Sequence, residues 1–167
     1  PEGNGFFCAP DGAMHAMHKQ KLVVLVLALF AIPSVALTDT TLKKEYTDEE
    51  LIETLRNEGF RSIELTADRV ISNKVDGLTF VLFAYEDDDL QLYFGVKGYC
   101  VDADVMNAWN QTRSLSRAYL DEETDAILEA DLLANSGYTE QQFIEWFKVF
   151  NFSALEFRQF LIENDES

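Results

Sequence analysis

The stretch Trp109-Asn110-Gln111-Thr112-Arg113-Ser114-Leu115-Ser116-Arg117-Ala118-Tyr119-Leu120, then the acidic turn Asp121 to Asp125, then Ala126-Ile127-Leu128-Glu129-Ala130-Asp131-Leu132, decides the fold. Two alternating runs flank a polar break. Successive side chains of a strand point to opposite faces, so this pattern predicts a β-hairpin. With Leu120 opposite Ala126, one face carries Ala118 against Leu128 and Ser116 against Ala130, and the other carries Arg117 against Glu129 and Tyr119 against Ile127. The first face is expected in the core and the second in water. An exposed cross-strand ion pair contributes only about 0.2 to 1 kcal/mol, so Arg117→Ala is expected to cost little stability.

Just upstream, Val101, Val105 and Trp109 recur at helical spacing behind Asp102, an N-cap residue, which predicts a short helix leading into the hairpin. Downstream, Ala134-Asn135-Ser136-Gly137 breaks the pattern, and Thr139 with Gln142 forms a capping box. Phe143, Phe147, Phe150, Ala154, Phe157 and Leu161 then step along one stripe. One long C-terminal helix follows, carried unbroken past the second capping-box spacing at Ser153 and Glu156. Trp146 and Phe160 lie off its main stripe.

The first half reads as a helix and two hairpins. Thr47 and Glu50 form a capping box, Tyr46 and Leu51 a hydrophobic staple, and Leu51, Ile52 and Leu55 an apolar stripe that Gly59 ends, giving a helix over 48–58. Ser62 to Thr66 and Arg69 to Val75 read as strands turned at Ala67-Asp68. Asp76-Gly77 then suits a type I′ turn, which needs positive φ at both central residues. It leads into a strand from Leu78 to Tyr85. A four-residue turn, Glu86 to Asp89, sets Val81, Phe83 and Tyr85 opposite Phe94, Leu92 and Leu90 on the expected core face. Phe80, Leu82 and Ala84 then share the second face with Tyr93, which is more apolar than a solvated sheet face needs to be. Either the C-terminal helix covers that face, or Phe80, Leu82 and Tyr93 form a surface for a client protein or a second copy of the chain.

The order is thus α-β-β-β-β-α-β-β-α, an α+β domain whose helices pack on an antiparallel sheet. Trp109-Asn110, Ser116-Arg117-Ala118-Tyr119-Leu120 and Leu128-Glu129-Ala130-Asp131-Leu132 resemble the YbjN-domain family of bacterial sensory transduction regulators, over about Thr47 to Leu161. The resemblance implies a fold like that of type III secretion chaperones and a regulatory role rather than a reaction. A turn glycine typical of the family is missing between Asp121 and Asp125, which leaves the turn type open.

Ahead of the domain, residues 1–16 lack periodicity and read as upstream sequence. From Met17, a basic His18-Lys19-Gln20-Lys21, an apolar run from Leu22 to Ile32 and the small residues of Pro33-Ser34-Val35-Ala36 read as a secretory signal peptide cleaved after Ala36. The run is shorter than the roughly twenty apolar residues of a membrane span, so no stable anchor is expected after cleavage. Residues 37–46 form a polar lead-in, and 47–164 the domain. The expected location is the periplasm or the medium.

Composition sets the chemistry. The chain of 167 residues is 47% hydrophobic, enough for one domain. Its formal charge is -17, which removal of residues 1–36 leaves unchanged because Lys19 and Lys21 leave with Glu2 and Asp11. Nucleic acid is therefore not an expected partner, since binding it depends on Lys and Arg. Cleavage also removes His15, His18 and Cys8. Without histidine, Ser-His-Asp and Cys-His catalysis and common zinc sites lose their parts.

Cys100 reads as a small core residue. The acidic turns at 86–89 and 121–125 read as solvated turns, because counting an EF-hand loop from Asp121 puts Ala126 and Leu132 where Gly and Glu are needed. No phosphate loop or nucleophile elbow occurs. Asn110-Gln111-Thr112 and Asn151-Phe152-Ser153 match the glycosylation acceptor pattern, which a bacterial family makes coincidental; Asn151 reads as structural.

No catalytic, cofactor or metal-binding residue is assigned. The expectation is an exported, non-enzymatic protein-interaction module, regulatory or chaperone-like. A carboxylate-dependent envelope hydrolase and a calcium-responsive accessory protein stand as alternatives.

Overall fold

Asp76 and Gly77 adopt φ of 50° and 81°, the pair of positive values a type I′ turn requires, and they place Val75 opposite Leu78. Around this turn the computed structural model, which describes residues 41–166, builds a sheet flanked by helices. The elements are α1 (Asp48–Asn57), β1 (Ser62–Ala67), β2 (Val70–Val75), β3 (Leu78–Ala84), β4 (Leu90–Val96), α2 (Ala103–Thr112), β5 (Arg117–Leu120), β6 (Ala126–Leu132) and α3 (Glu140–Asn164). The order expected from sequence is therefore observed. The signal-peptide segment and residues 1–16 lie outside the described residues.

The sheet runs β1-β2-β3-β4-β6-β5, and every neighbouring pair is antiparallel. Its inner face, the apolar stripes of α1 and α3, and Met106 and Trp109 of α2 form one core. The capping boxes at Thr47 and Thr139 are both made, and α3 continues unbroken for 25 residues. Gly59 at φ 97° ends α1 in a Schellman arrangement: its N–H reaches the Arg56 carbonyl and that of Phe60 reaches Leu55. Trp109 is buried edge-on against Phe157, which ties α2 to α3.

The β3–β4 register corrects the sequence reading. Val81 pairs with Tyr93, Leu82 with Leu92, Phe83 with Gln91 and Ala84 with Leu90. The loop holds five residues: Tyr85 leaves the strand, its N–H bonds the Asp89 carbonyl, and Asp88 turns at φ 64°. A one-residue slip moves a whole strand's side chains to the other face. Phe80 and Leu82, expected on the second face, are thus core at 1% exposure each; Phe80 packs on Phe94 and Phe150. Tyr93 keeps its place on the second face.

The β1–β2 turn is also displaced by one residue, to Asp68-Arg69, with a register irregularity between Leu65 and Ala67. Arg69 adopts φ 58°. Its N–H donates to Asp48 Oδ2 at 3.1 Å, Nη1 to the Tyr46 carbonyl at 2.6 Å, and Nη2 to Asp88 Oδ1 at 3.1 Å. One residue therefore binds the start of α1 to both loops, which offsets its unfavourable backbone.

The lead-in joins the fold at Lys43, whose backbone bridges Tyr138 in both directions. Gly137, at φ 80°, lets the two strands of chain meet, since a Cβ there would lie 3.1 Å from the Lys43 carbonyl oxygen. Cys100 is exposed rather than core. Its backbone, not its thiol, is used: the N–H bonds Asp165 and the carbonyl takes the Glu166 N–H.

Candidate protein-interaction surfaces

Among the regions that carry apolar groups outside the core are the outer face of the sheet and the outward side of α3. On the outer face, register aligns Ser72, Val81, Tyr93, Glu129 and Arg117 across five strands. Gly95, Ile127 and Tyr119 form the next row. This face was expected to be wet beside β5 and β6, yet Ile127 and Glu129 are buried. The reason is Gly95: a Cβ there would lie 3.0 Å from Tyr93 Oη and 3.3 Å from Ile127 Cδ1. Its absence lets the Tyr93 ring fold down over the sheet beside Ile127.

Glu129 is the polar centre of this face. Arg117 Nη2 donates to its Oε2 and Tyr119 Oη to its Oε1, each at 2.5 Å. The carboxylate side chain is 8% exposed and the guanidinium 63%, so the predicted cross-strand pair exists but its acidic partner is buried. Burial and then the hydrogen bond to Glu129 hold the Tyr119 phenol well above its ordinary pKa. Burial, with the charges of Asp121, Glu129 and Asp125, raises that of Tyr93. Burial, then the charges of Asp131 and Glu129, raises that of Tyr85. Tyr85 donates to Gln91 and Gln91 donates to Asp131, while Phe83 meets Tyr93 edge-on at 6.3 Å. The outer face therefore holds one aromatic pair and two phenols bonded to neighbouring polar side chains, Tyr119 to Glu129 and Tyr85 to Gln91.

The hairpin edge is closed as well. Asn110 Nδ2 donates to the Ala118 carbonyl at 2.9 Å, and the Ala118 N–H donates to Asn110 Oδ1 at 2.8 Å. A side-chain amide thus supplies the partner that a further strand would offer to β5, the kind of edge protection that prevents strand addition. This gives the Trp109-Asn110 and Arg117-Ala118 motif a structural meaning: Trp109 anchors α2 in the core while Asn110 seals the edge. Asn151 is buried inside the α3 packing.

The acidic turns are internally bonded. Asp121 Oδ1 accepts the N–H groups of Glu123 and Asp125 at 2.9 Å. Lys97 Nζ lies 3.0 Å from Glu123 and 2.7 Å from Asp125. Thr124 takes the left-handed conformation, φ 64°, at the turn where the glycine is missing. Asp89 accepts the Ala134 N–H. Among the described residues no group of three or more His, Cys, Asp or Glu is placed to hold a metal.

The outward side of α3 differs. Val149, Phe152, Leu155 and Ile162 are exposed at 41, 62, 39 and 49%. At 3.6 residues per turn, Phe152 stands opposite the Phe143–Leu161 core stripe, and Val149, Leu155 and Ile162 spread with it over about 140° of the helix surface, interleaved with Glu145, Lys148, Glu156, Gln159 and Glu163. Lys148 bonds Glu58 of α1 at 2.6 Å on one flank, and Glu156 meets Arg113, at the end of α2, at 3.4 Å on the other. The sequence reading did not include these four residues. Their three- and seven-residue steps were the available signal, but the stronger phenylalanine stripe already accounted for the helix.

The two surfaces belong to a chain whose residues 47–163 match the model of the YbjN family, described as "Putative bacterial sensory transduction regulator". No curated protein matches it by sequence. Among solved structures, the type III secretion chaperone SycH of Yersinia pestis, in complex with a stable fragment of YscM2, is similar at a TM-score of 0.49 and 14% identity, over 64% of this chain and 94% of that one. With the family model covering most of its length, this chain belongs to the YbjN family.

Proposed function

We propose that the domain is a non-enzymatic, regulatory protein-interaction module that docks its partner on the outward side of α3. The observation that carries this is the second apolar stripe of Val149, Phe152, Leu155 and Ile162. Large side chains left in water forgo about 1.5 to 3 kcal/mol each that burial would supply, and contiguous exposed apolar groups mark interaction sites. The family's description as a regulator agrees with a role exerted by binding. The sequence from Met17 to Ala36, read as a signal peptide, supports action in the periplasm or outside the cell.

Photo-cross-linking in the native cell tests the docking surface. A photoreactive phenylalanine analogue at position 152 should join a second protein, and the same analogue at position 83 should not. Adducts from position 83 alone would place the surface on the sheet instead. N-terminal sequencing of the exported protein should begin at Leu37 or within a few residues; product retaining Met17 would contradict export with cleavage.

A further inference from the structure

Resting on that docking surface, we infer that its occupant is an amphipathic helix with basic residues flanking its apolar side, and not a second copy of this chain. Two cations beside the stripe are already engaged, Lys148 by Glu58 and Arg113 by Glu156. Arg158, three residues after Leu155 and four before Ile162, is an exposed cation on one flank. The charge left at the stripe's ends is acidic: Glu145 at one and Glu163 at the other. Among the described residues Glu145 and Glu163 accept from the neutral amides of Gln141 and Gln159, which leaves their charge in place.

This arrangement argues against self-pairing in either direction. Two antiparallel copies of α3 set Glu145 against Glu163, and two parallel copies set each glutamate against itself. Like charges across an interface select against the wrong partner, and a formal charge of -17 on each chain adds to the repulsion. A helix with Lys or Arg at both ends of its apolar face answers both carboxylate groups. Val149 to Ile162 spans roughly 20 Å at 1.5 Å per residue, so about fourteen residues of partner helix cover the stripe.

Calorimetry of the purified protein with synthetic helices of about that length tests this. A Leu/Lys amphipathic peptide is compared with Leu/Glu and Leu/Gln peptides of the same pattern and with a scrambled Leu/Lys peptide. The Leu/Lys helix should bind, and bind at least about tenfold more weakly to Phe152→Ser/Leu155→Ser and to Val149→Ser/Ile162→Ser. Neither pair of substitutions alters charge, and circular dichroism should show both variants folded. Equal binding of the scrambled peptide would overturn the inference. So would Leu/Glu or Leu/Gln peptides that bind as tightly as Leu/Lys and lose affinity in the variants, although the docking surface itself would then stand. Self-association of wild type that the variants lose would make a second copy the occupant. If no peptide distinguishes the variants from wild type and wild type does not self-associate, the docking surface itself fails.

Discussion

The outer face of the sheet and the outward side of α3 both carry aromatic and aliphatic groups, but only one has used them up. On the sheet, Tyr93 lies over Gly95 beside Ile127, Arg117 and Tyr119 close on Glu129, and Phe83 meets Tyr93. On α3, Phe152 is 62% exposed, and among the described residues none of the aromatic contacts involves it. Apolar content alone therefore does not identify a docking surface. What distinguishes the two is whether neighbouring side chains already bury and bond the groups concerned.

The largest test of this contrast compares two phenylalanines. Phe80→Asp should abolish cooperative folding: loss of a core Phe costs about 3 to 5 kcal/mol, and a buried unpaired charge adds to it. Phe152→Asp should change stability by less than about 0.5 kcal/mol. Urea denaturation followed by circular dichroism reads both, and a stable Phe80→Asp would restore the register expected from sequence. Next in size, Glu129→Ala removes the acceptor of Tyr119 and Arg117. It should cost about 1.5 to 3 kcal/mol, the range for hydrogen bonds to a charged group. A loss below about 0.5 kcal/mol would mean that the outer face is open to water.

Legibility from sequence followed how strongly a segment alternates. Arg117 to Leu132 alternates around a clear break, and its predicted register, Leu120 opposite Ala126, is the observed one. From Phe80 to Ala84 both alternating sets are apolar, so pattern could not choose a face and the loop length decided. One more loop residue, with Asp88 held by Arg69, moved Phe80 and Leu82 inside, and of the three residues expected to form a docking surface Tyr93 alone stayed on the outer face. Helix ends were legible because capping boxes are local. Cys100 was misplaced because its role lies in backbone contacts with a C-terminal segment distant in sequence. The α3 outward stripe was hidden by the stronger stripe on the same helix.

Two smaller effects sharpen the account of the sheet as self-contained. Asn110→Ala removes two hydrogen bonds worth about 0.5 to 1.5 kcal/mol each and uncovers the β5 edge. It should lower stability by roughly that sum and raise the sedimentation coefficient through edge pairing; an unchanged, monomeric variant would show that the edge needs no guard. Thr124→Gly should raise stability by about 0.5 to 1 kcal/mol, because a β-branched residue is disfavoured at positive φ and Gly is not. Thermal denaturation that shows a loss would mean that the Thr124 side chain supports the turn.

The division between the two surfaces is tested most directly by titrating the Leu/Lys amphipathic peptide into isotopically labelled protein and following methyl resonances. The account predicts that Val149, Leu155 and Ile162 shift while Val81 and Ile127 stay in place. Movement of Val81 and Ile127, with the α3 methyl groups unchanged, would contradict it.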